Sequence, residues 1–502
     1  LDAPAAITQA AEEQARLLES LENELLAARG ADLRDGLQRV LRKLHGVPVM
    51  DLGEQIAAAR EPIILVARDL TPSDTARLRP EKVLGICTAV GGATAHAAIL
   101  ARALGIPAVT GVGEAVLAQI QADTEIGLDG TEGQLYLRAD VHTRARLLTE
   151  MKRHRASTRR RLEHAAAWRT RPGATSDGQR VLLAANIGSG GPEEAQAAVE
   201  TWGAEGVGLL RTEFLFGDRP ALPDEQEQFE QYRAVFAAFA RHSAPDAPLV
   251  VRTLDAGADK PLPALAAVMG EMREENPALG LRGIRIHLAY PDLLRTQIRA
   301  LLRAAGATGV ALHLMFPMIA TVDEWRQARA IFQDAWQVLQ SEQTLLPAHT
   351  PLGIMVETPA AVMLAEPLAR EVAFFSIGTN DLTQYVLAAD RLNGKLGALY
   401  NALQPAVLRA IAQIVQGARA HGRLVAVCGE AGGDPQVAPL LVGLGVGELS
   451  MTPASIPVIK ETLSRFSTQQ LSDLAGRALG LATLQDVEAL LREIAPLPPQ
   501  AQ

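Results

Sequence analysis

An α/β chain whose larger part is a (β/α)8 TIM-type barrel is the fold this sequence predicts, and three observations carry it. Short apolar runs recur at 181–185, 206–210, 249–252, 311–316, 352–356, 373–377, 424–427 and 446–449, with stretches long enough for a helix between most of them. Polar residues follow those runs at Asn186, Arg211, Arg252, Glu357, Asn380 with Asp381, and Cys428, where a barrel presents its working side chains. The texture changes at RPGATSDGQ, residues 171–179, whose Gly, Pro and Ser content reads as an interdomain boundary. A doubly wound open sheet has the same alternation and stays as the rival.

The composition narrows the class. A chain of 502 residues has room for about three domains, and 48% hydrophobic with 21% charged residues is ordinary for a globular protein. A net charge of −9 argues against general nucleic-acid binding. No run approaches the ~20 apolar residues of a membrane span, so no membrane insertion is expected. Cys87 and Cys428 lie far apart without metal-ligand spacing, which fits a reducing cytoplasm and excludes a disulfide framework. Leu1 stands where a methionine would begin a gene product, so the chain is expected to be a piece of a longer one.

Taken in order, residues 1–46 carry Leu17, Leu18, Leu21 and Leu25 at helical spacing and predict an amphipathic helical segment. Residues 47–140 alternate β-rich runs at 63–66, 83–87, 106–109 and 134–137 with turn signals, which predicts a compact α/β domain. Within it, GGATAHAAILAR at 91–102 sets His96 near a helix start behind Gly91 and Gly92. A phosphoryl group bound there or carried on His96 would be stabilised by the unpaired amides; a capping loop with a surface histidine fits the residues equally well. Residues 141–168 are dense in Arg and Lys and predict a solvated linker helix. The loop IGSGGPEEA at 187–195 fits no phosphate-loop spacing and reads as a strand-to-helix turn.

The residue types at the barrel end then suggest a chemistry. Arg211, Arg252, Arg282 and Arg391 suit a small substrate bearing carboxylate and phosphate, since a guanidinium donates two parallel hydrogen bonds, and Lys260 adds a further charge. Glu357 and Asp381 follow consecutive runs, and two carboxylates suit Mg²⁺, which completes its shell with water and phosphate oxygens. Loop carboxylates bonded to backbone amides are the plainer alternative. Cys428 at a strand end is placed to give a proton to an enolate, although an unpaired cysteine is more often a small core residue.

GGATAHAAILARALGIPAV at 91–109 resembles the phosphohistidine segment of enzyme I of the phosphoenolpyruvate-dependent sugar phosphotransferase system, with Ala93 and Ala95 standing where that family usually has arginine and often serine. GVGLLRTEFLF, VVRTLDAGADKPLP, EENPALGLRGIRI, MFPMI, GIMVETPAA, FFSIGTNDLTQYVLAADR and CGEAGGD resemble its phosphoenolpyruvate-binding barrel. The resemblance implies a remnant of the helical HPr-binding domain at 1–46, a swivelling phosphohistidine domain at 47–140, a linker helix and hinge at 141–178, and the barrel at 179–502. It further implies that His96 accepts the phosphoryl group, that Arg211, Arg252, Arg282, Asn380 and Arg391 hold phosphoenolpyruvate, that Glu357 and Asp381 bind Mg²⁺, and that Cys428 protonates the enolate. HPr as carrier, a cytoplasmic homodimer joined through the barrel, and kinship with multiphosphoryl transfer proteins are further implications. The dikinase and synthase relatives need a nucleotide-binding domain for which this sequence shows no Walker-type loop. A degenerate, non-catalytic sensor is the reading from a different class.

Overall fold

The computed structural model of the chain describes residues 61–68, 70, 82–90, 106–121, 124–188, 190–217, 219, 221–257, 262–270, 274–391, 393–397 and 399–494, together with Leu52, Ile56, Ala59 and Ala101. The segment 1–46, the stretch 91–100 with His96, and Lys260 lie outside the described residues. The chain divides into two compact units, Leu1–Ser157 and Thr158–Gln502.

In the first unit, β1 (Ile63–Ala67), β2 (Val83–Thr88) and β3 (Ala108–Val109) form a parallel three-stranded sheet. Leu65, Val83, Ile86, Ala101 and Ile106 close a small core against it. The run expected at 106–109 shortens to two residues, because Pro107 has no amide hydrogen to give to a ladder. A strand that the alternation did not announce, β4 (Ile126–Asp129), pairs antiparallel with β5 (Gln134–Leu137). Asp129 fixes their turn by accepting from the Thr131 and Glu132 amides, each at 3.1 Å. The basic run is one helix, Val141–Trp168.

The second unit settles the choice left open by the alternation. Its eight parallel strands close on themselves: β6 (Leu182–Ile187), β7 (Val207–Leu210), β8 (Pro248–Arg252), β9 (Ala311–Phe316), β10 (Leu352–Val356), β11 (Phe374–Ile377), β12 (Leu424–Val427) and β13 (Glu448–Met451). The last strand pairs with the first, Glu448 opposite Leu182 through Met451 opposite Ala185, so the sheet is a barrel and not an open one. Two placements differ from the expected runs by two residues. Asn186 lies inside β6 instead of behind it, and β13 begins at Glu448 instead of Val446.

Helices cover the outside for reasons visible in their residues. The helix Pro405–Arg419 starts on a proline and buries Val407, Leu408, Ile411, Ile414, Val415 and Ala418, a stripe at helical period. Asp224 with Glu227, and Thr321 with Glu324, form reciprocal caps that open the helices Glu225–His242 and Val322–Ser341. The 171–180 stretch is a bridged turn, Ala174 opposite Arg180, in which Asp177 accepts from the amide and hydroxyl of Thr468 at 3.1 and 3.0 Å. Among the described residues no helix is long and apolar enough to cross a membrane.

Candidate active site

Strand parity decides what reaches the mouth of the barrel. Leu210, Val251, Phe316, Ile354, Val356, Phe375 and Ile377 belong to the core between strands and helices, whereas Leu209, Val250, Met315, Met355, Phe374 and Cys428 form a separate inner cluster. Moving two residues on from an inner position keeps the same face. From Leu209 that step reaches Arg211, from Val250 Arg252, from Met355 Glu357, and from Ala426 Cys428. The predicted residues at these ends therefore share one layer.

Two carboxylates knit the arginines together. Asp255, fully buried, forms an ion pair with Arg252 Nη1 at 3.1 Å and accepts from Arg282 Nη2 at 2.9 Å. Asp381 Oδ1 accepts from Arg282 Nη1 at 3.3 Å and from Arg391 Nη1 at 3.2 Å. Glu213 takes a further hydrogen bond from Arg252 Nη2 at 2.8 Å. Burial opposes the charge on Arg252 and on Arg282. The carboxylates Glu213 and Asp255 around the first, and Asp255 and Asp381 around the second, outweigh it and keep both proton affinities raised. Arg211 is exposed at the end of β7, and Asn380 lies partly exposed in the first turn of the helix Thr379–Leu387, its carbonyl accepting from the Tyr400 hydroxyl at 2.9 Å.

These arginines are thus salt-bridge partners as well as candidate anion binders. What separates the mouth from a closed ionic core is the polar capacity it leaves open. Arg252 Nε, Thr253 Oγ1, Glu357 Oε2, Ser376 Oγ, Thr379 Oγ1 and Thr383 Oγ1 are buried without a hydrogen-bond partner among the described residues, and all belong to β8, β10, β11 or the segments just behind them. Native proteins leave few such atoms, so a concentration at one end of the barrel marks a place shaped for a ligand.

The donor set also fits a divalent ion. Glu357 Oε1 accepts the Met318 amide at 2.6 Å, while Oε2 faces Gly378, where a Cβ would come within 2.8 Å. Met318 holds this geometry with φ at 60°, a left-handed conformation that a non-glycine residue adopts at some cost. Burial, then the neighbouring Asp381 and Asp255 carboxylates, push Glu357 up to about 8 against the pull of Arg252 and Arg282. A buried carboxylate so disfavoured as an anion, with one oxygen unengaged among the described residues, has the chemistry to ligate a divalent cation. Among the described residues no three His, Cys, Asp or Glu side chains gather to hold a metal by themselves. Magnesium needs only one or two carboxylates, the rest of its shell coming from water and substrate oxygens.

Cys428 is buried at the end of β12, its thiol donating to the Ile377 carbonyl at 3.6 Å. Burial pushes it up to about 11, against the Ser376 hydroxyl and the Arg252 and Arg211 charges, so it holds its proton at neutral pH. Asn186 Nδ2 donates to the Cys428 carbonyl at 2.9 Å and pins the loop behind β12. Four participants escaped the sequence reading: Glu213, Asp255, Met318 and Tyr385. The first two had a signal, because LRTE and VRTLD each place an acid two or three residues behind a strand-end arginine. Tyr385, whose hydroxyl lies 3.2 Å from Arg282 Nη1, sits four residues after Asp381 on the same helix face.

Comparison with known proteins gives this mouth its class. Residues 162–468 match the family PEP-utilising enzyme, PEP-binding domain, and residues 59–133 match PEP-utilising enzyme, mobile domain. The phosphoenolpyruvate-protein phosphotransferase of Staphylococcus carnosus is 39% identical over 494 residues, 98% of this chain and 82% of that protein. The phosphoenolpyruvate-protein phosphotransferase of Streptomyces coelicolor is 45% identical over 456 residues, 91% of this chain and 75% of that protein. The multiphosphoryl transfer protein of Xanthomonas campestris pv. campestris is 45% identical over 486 residues, 96% of this chain, which spans 54% of that longer protein. The chain belongs to the phosphoenolpyruvate-protein phosphotransferase family.

Proposed function

We propose that the chain takes the phosphoryl group of phosphoenolpyruvate onto His96, releases pyruvate, and hands the group to the phosphocarrier HPr. One observation carries the reading: Arg252, Arg282 and Arg391, linked through Asp255 and Asp381, converge with Glu357 and a set of unengaged polar atoms on one end of a closed barrel. Arg211, Arg252, Arg282, Arg391 and Asn380, with Lys260, bind the carboxylate and phosphate. Glu357 and Asp381 hold Mg²⁺, which when bound neutralises charge on the phosphoryl oxygens. Fixed guanidinium groups orient the phosphoryl group for in-line transfer, a reaction that asks mainly for position and countercharge. Cys428, protonated at neutral pH, supplies the proton that turns the enolate into pyruvate.

The same reading assigns residues 47–140 to the phosphohistidine domain, which serves barrel and carrier in turn, and 141–178 to its linker, in a cytoplasmic enzyme paired through its barrels. Labelled phosphoenolpyruvate with Mg²⁺ is the direct test. The wild-type chain should become labelled and His96→Ala should not; equal labelling of the two removes His96 from the reaction. Adding purified HPr should then draw the label off the wild-type chain.

A further inference from the structure

The Ser376 hydroxyl is 1% exposed and, among the described residues, pairs with no oxygen or nitrogen; the group it acts on is the Cys428 thiol, the proposed proton donor on the next strand. Its position is fixed by register. Ser376 lies opposite Ala426 on the neighbouring strand β12, and Cys428 is two residues beyond Ala426 on the same inward face. The Cys428 amide donates to the Ile377 carbonyl at 3.1 Å, and the thiol donates to that carbonyl as well, at 3.6 Å. In the thiol form the sulfur's proton therefore already has an acceptor, and Ser376 is left as a donor that the sulfur can use more strongly once it is charged.

We infer that Ser376 is a positioning residue for Cys428, a buried donor kept in reserve for the thiolate left when Cys428 surrenders its proton. The inference rests on the proposed role of Cys428. In that step the S–H bond breaks and its electron pair stays on sulfur, while the methylene carbon of the enolate uses its π pair to form the new C–H bond. Sulfur changes from donor to acceptor in a buried place. The charged groups facing it are Arg252 at the end of β8 and Arg211 behind β7, which favour the thiolate, and Glu357 behind β10, which opposes it. Arg252 is shared with Glu213 and Asp255. Ser376 is the neutral donor next to the sulfur, and it acts in the same direction as the two arginines. It shares its proton and does not transfer it.

The test reads two rates on the full chain with Mg²⁺: deuterium uptake from D₂O into the pyruvate methyl group at equilibrium with phosphoenolpyruvate, and transfer of labelled phosphoryl to the protein. Ser376→Ala should slow deuterium uptake about 10- to 100-fold, the worth of a hydrogen bond to a charged group, and leave phosphoryl labelling close to wild type. Ser376→Thr should restore uptake. Unchanged uptake in Ser376→Ala overturns the inference, as does a parallel fall of both rates that threonine does not rescue. Cys428→Ala is the separate control, since wild-type uptake there removes Cys428 itself from the proton transfer whatever Ser376 does.

Discussion

Lys460 and Arg252 are both buried cations of the barrel unit, 1% and 6% exposed, yet their surroundings treat them differently. Lys460 lies in the helix Ile456–Leu463 and donates to the carbonyls of Gly203 at 2.7 Å and Arg169 at 3.3 Å, near the turn that leads into β7. Backbone oxygens at that end take up the charge, and the fold needs nothing more from it. Arg252, at the other end of a barrel strand, is divided between Glu213 and Asp255 and keeps Nε unpaired among the described residues. Lys460 is closed off by main chain, whereas Arg252 is held by side chains that fix its direction and leave a donor open, as its proposed binding role requires.

The largest effect should separate these roles. Arg252→Lys keeps the charge and loses the planar fork, so the rate constant for phosphoryl transfer from phosphoenolpyruvate should fall about 10²- to 10³-fold, the usual loss when one preorganised donor is removed. A fall below fivefold would show that the fork is dispensable and that Arg252 is as structural as Lys460. Lys460→Met should do the reverse. It strands two buried carbonyls and should cost about 1–3 kcal/mol in a denaturant melt, with the transfer rate per folded molecule unchanged.

The smallest effect comes from Glu448, the first residue of β13, whose Oε1 lacks a partner among the described residues and which burial holds up at about 7, above the ordinary 4.5. Because the folded chain keeps a proton that the unfolded chain releases as pH rises past the ordinary value, stability should decline between about 4.5 and about 7 and remain lower above that window. Glu448→Gln should flatten this decline, adding on the order of 1 kcal/mol at pH 8 and nothing at pH 4. Equal stabilisation at both pH values would mean that the gain is packing and not ionisation.

The barrel was legible because each strand is a short, almost wholly apolar run bounded by helix-length stretches, as in VGLL, FFSI and LGIMV. β4 was not, because IGLD carries a glycine and is only partly buried, so neither alternation nor a continuous run announces it. Arg252, Glu357 and Cys428 could be picked out because they end apolar runs with residues of marked chemistry. Their partners gave at most a local acid behind an arginine, with nothing to show what it joins. Asp255 matters through contacts with Arg252 and Arg282, which lies 27 residues further along the chain, and Ser376 looks like any small residue in a buried strand until the register sets it opposite Ala426, two residues short of Cys428 on the same face. Gly378 and Gly429 are hidden for the same reason, since only the folded chain brings Glu357 Oε2 and Thr379 Oγ1 up against them. The descriptions His96 and Lys260 would need lie beyond the described residues.

Closure of β13 on β6 sets a condition on when the mouth can come into being. Asn186, near the beginning of the barrel, anchors the Cys428 loop and exchanges hydrogen bonds with Ser450, a residue of the final strand. During synthesis the nascent polypeptide therefore carries Arg211, Arg252, Arg282 and Arg391 with Glu357 and Asp381 out of the ribosome before the final strand can lock any of them in place. Reactivity arrives late, with the last staves of the barrel, and a chain released early would expose two raw sheet edges instead of a working enzyme.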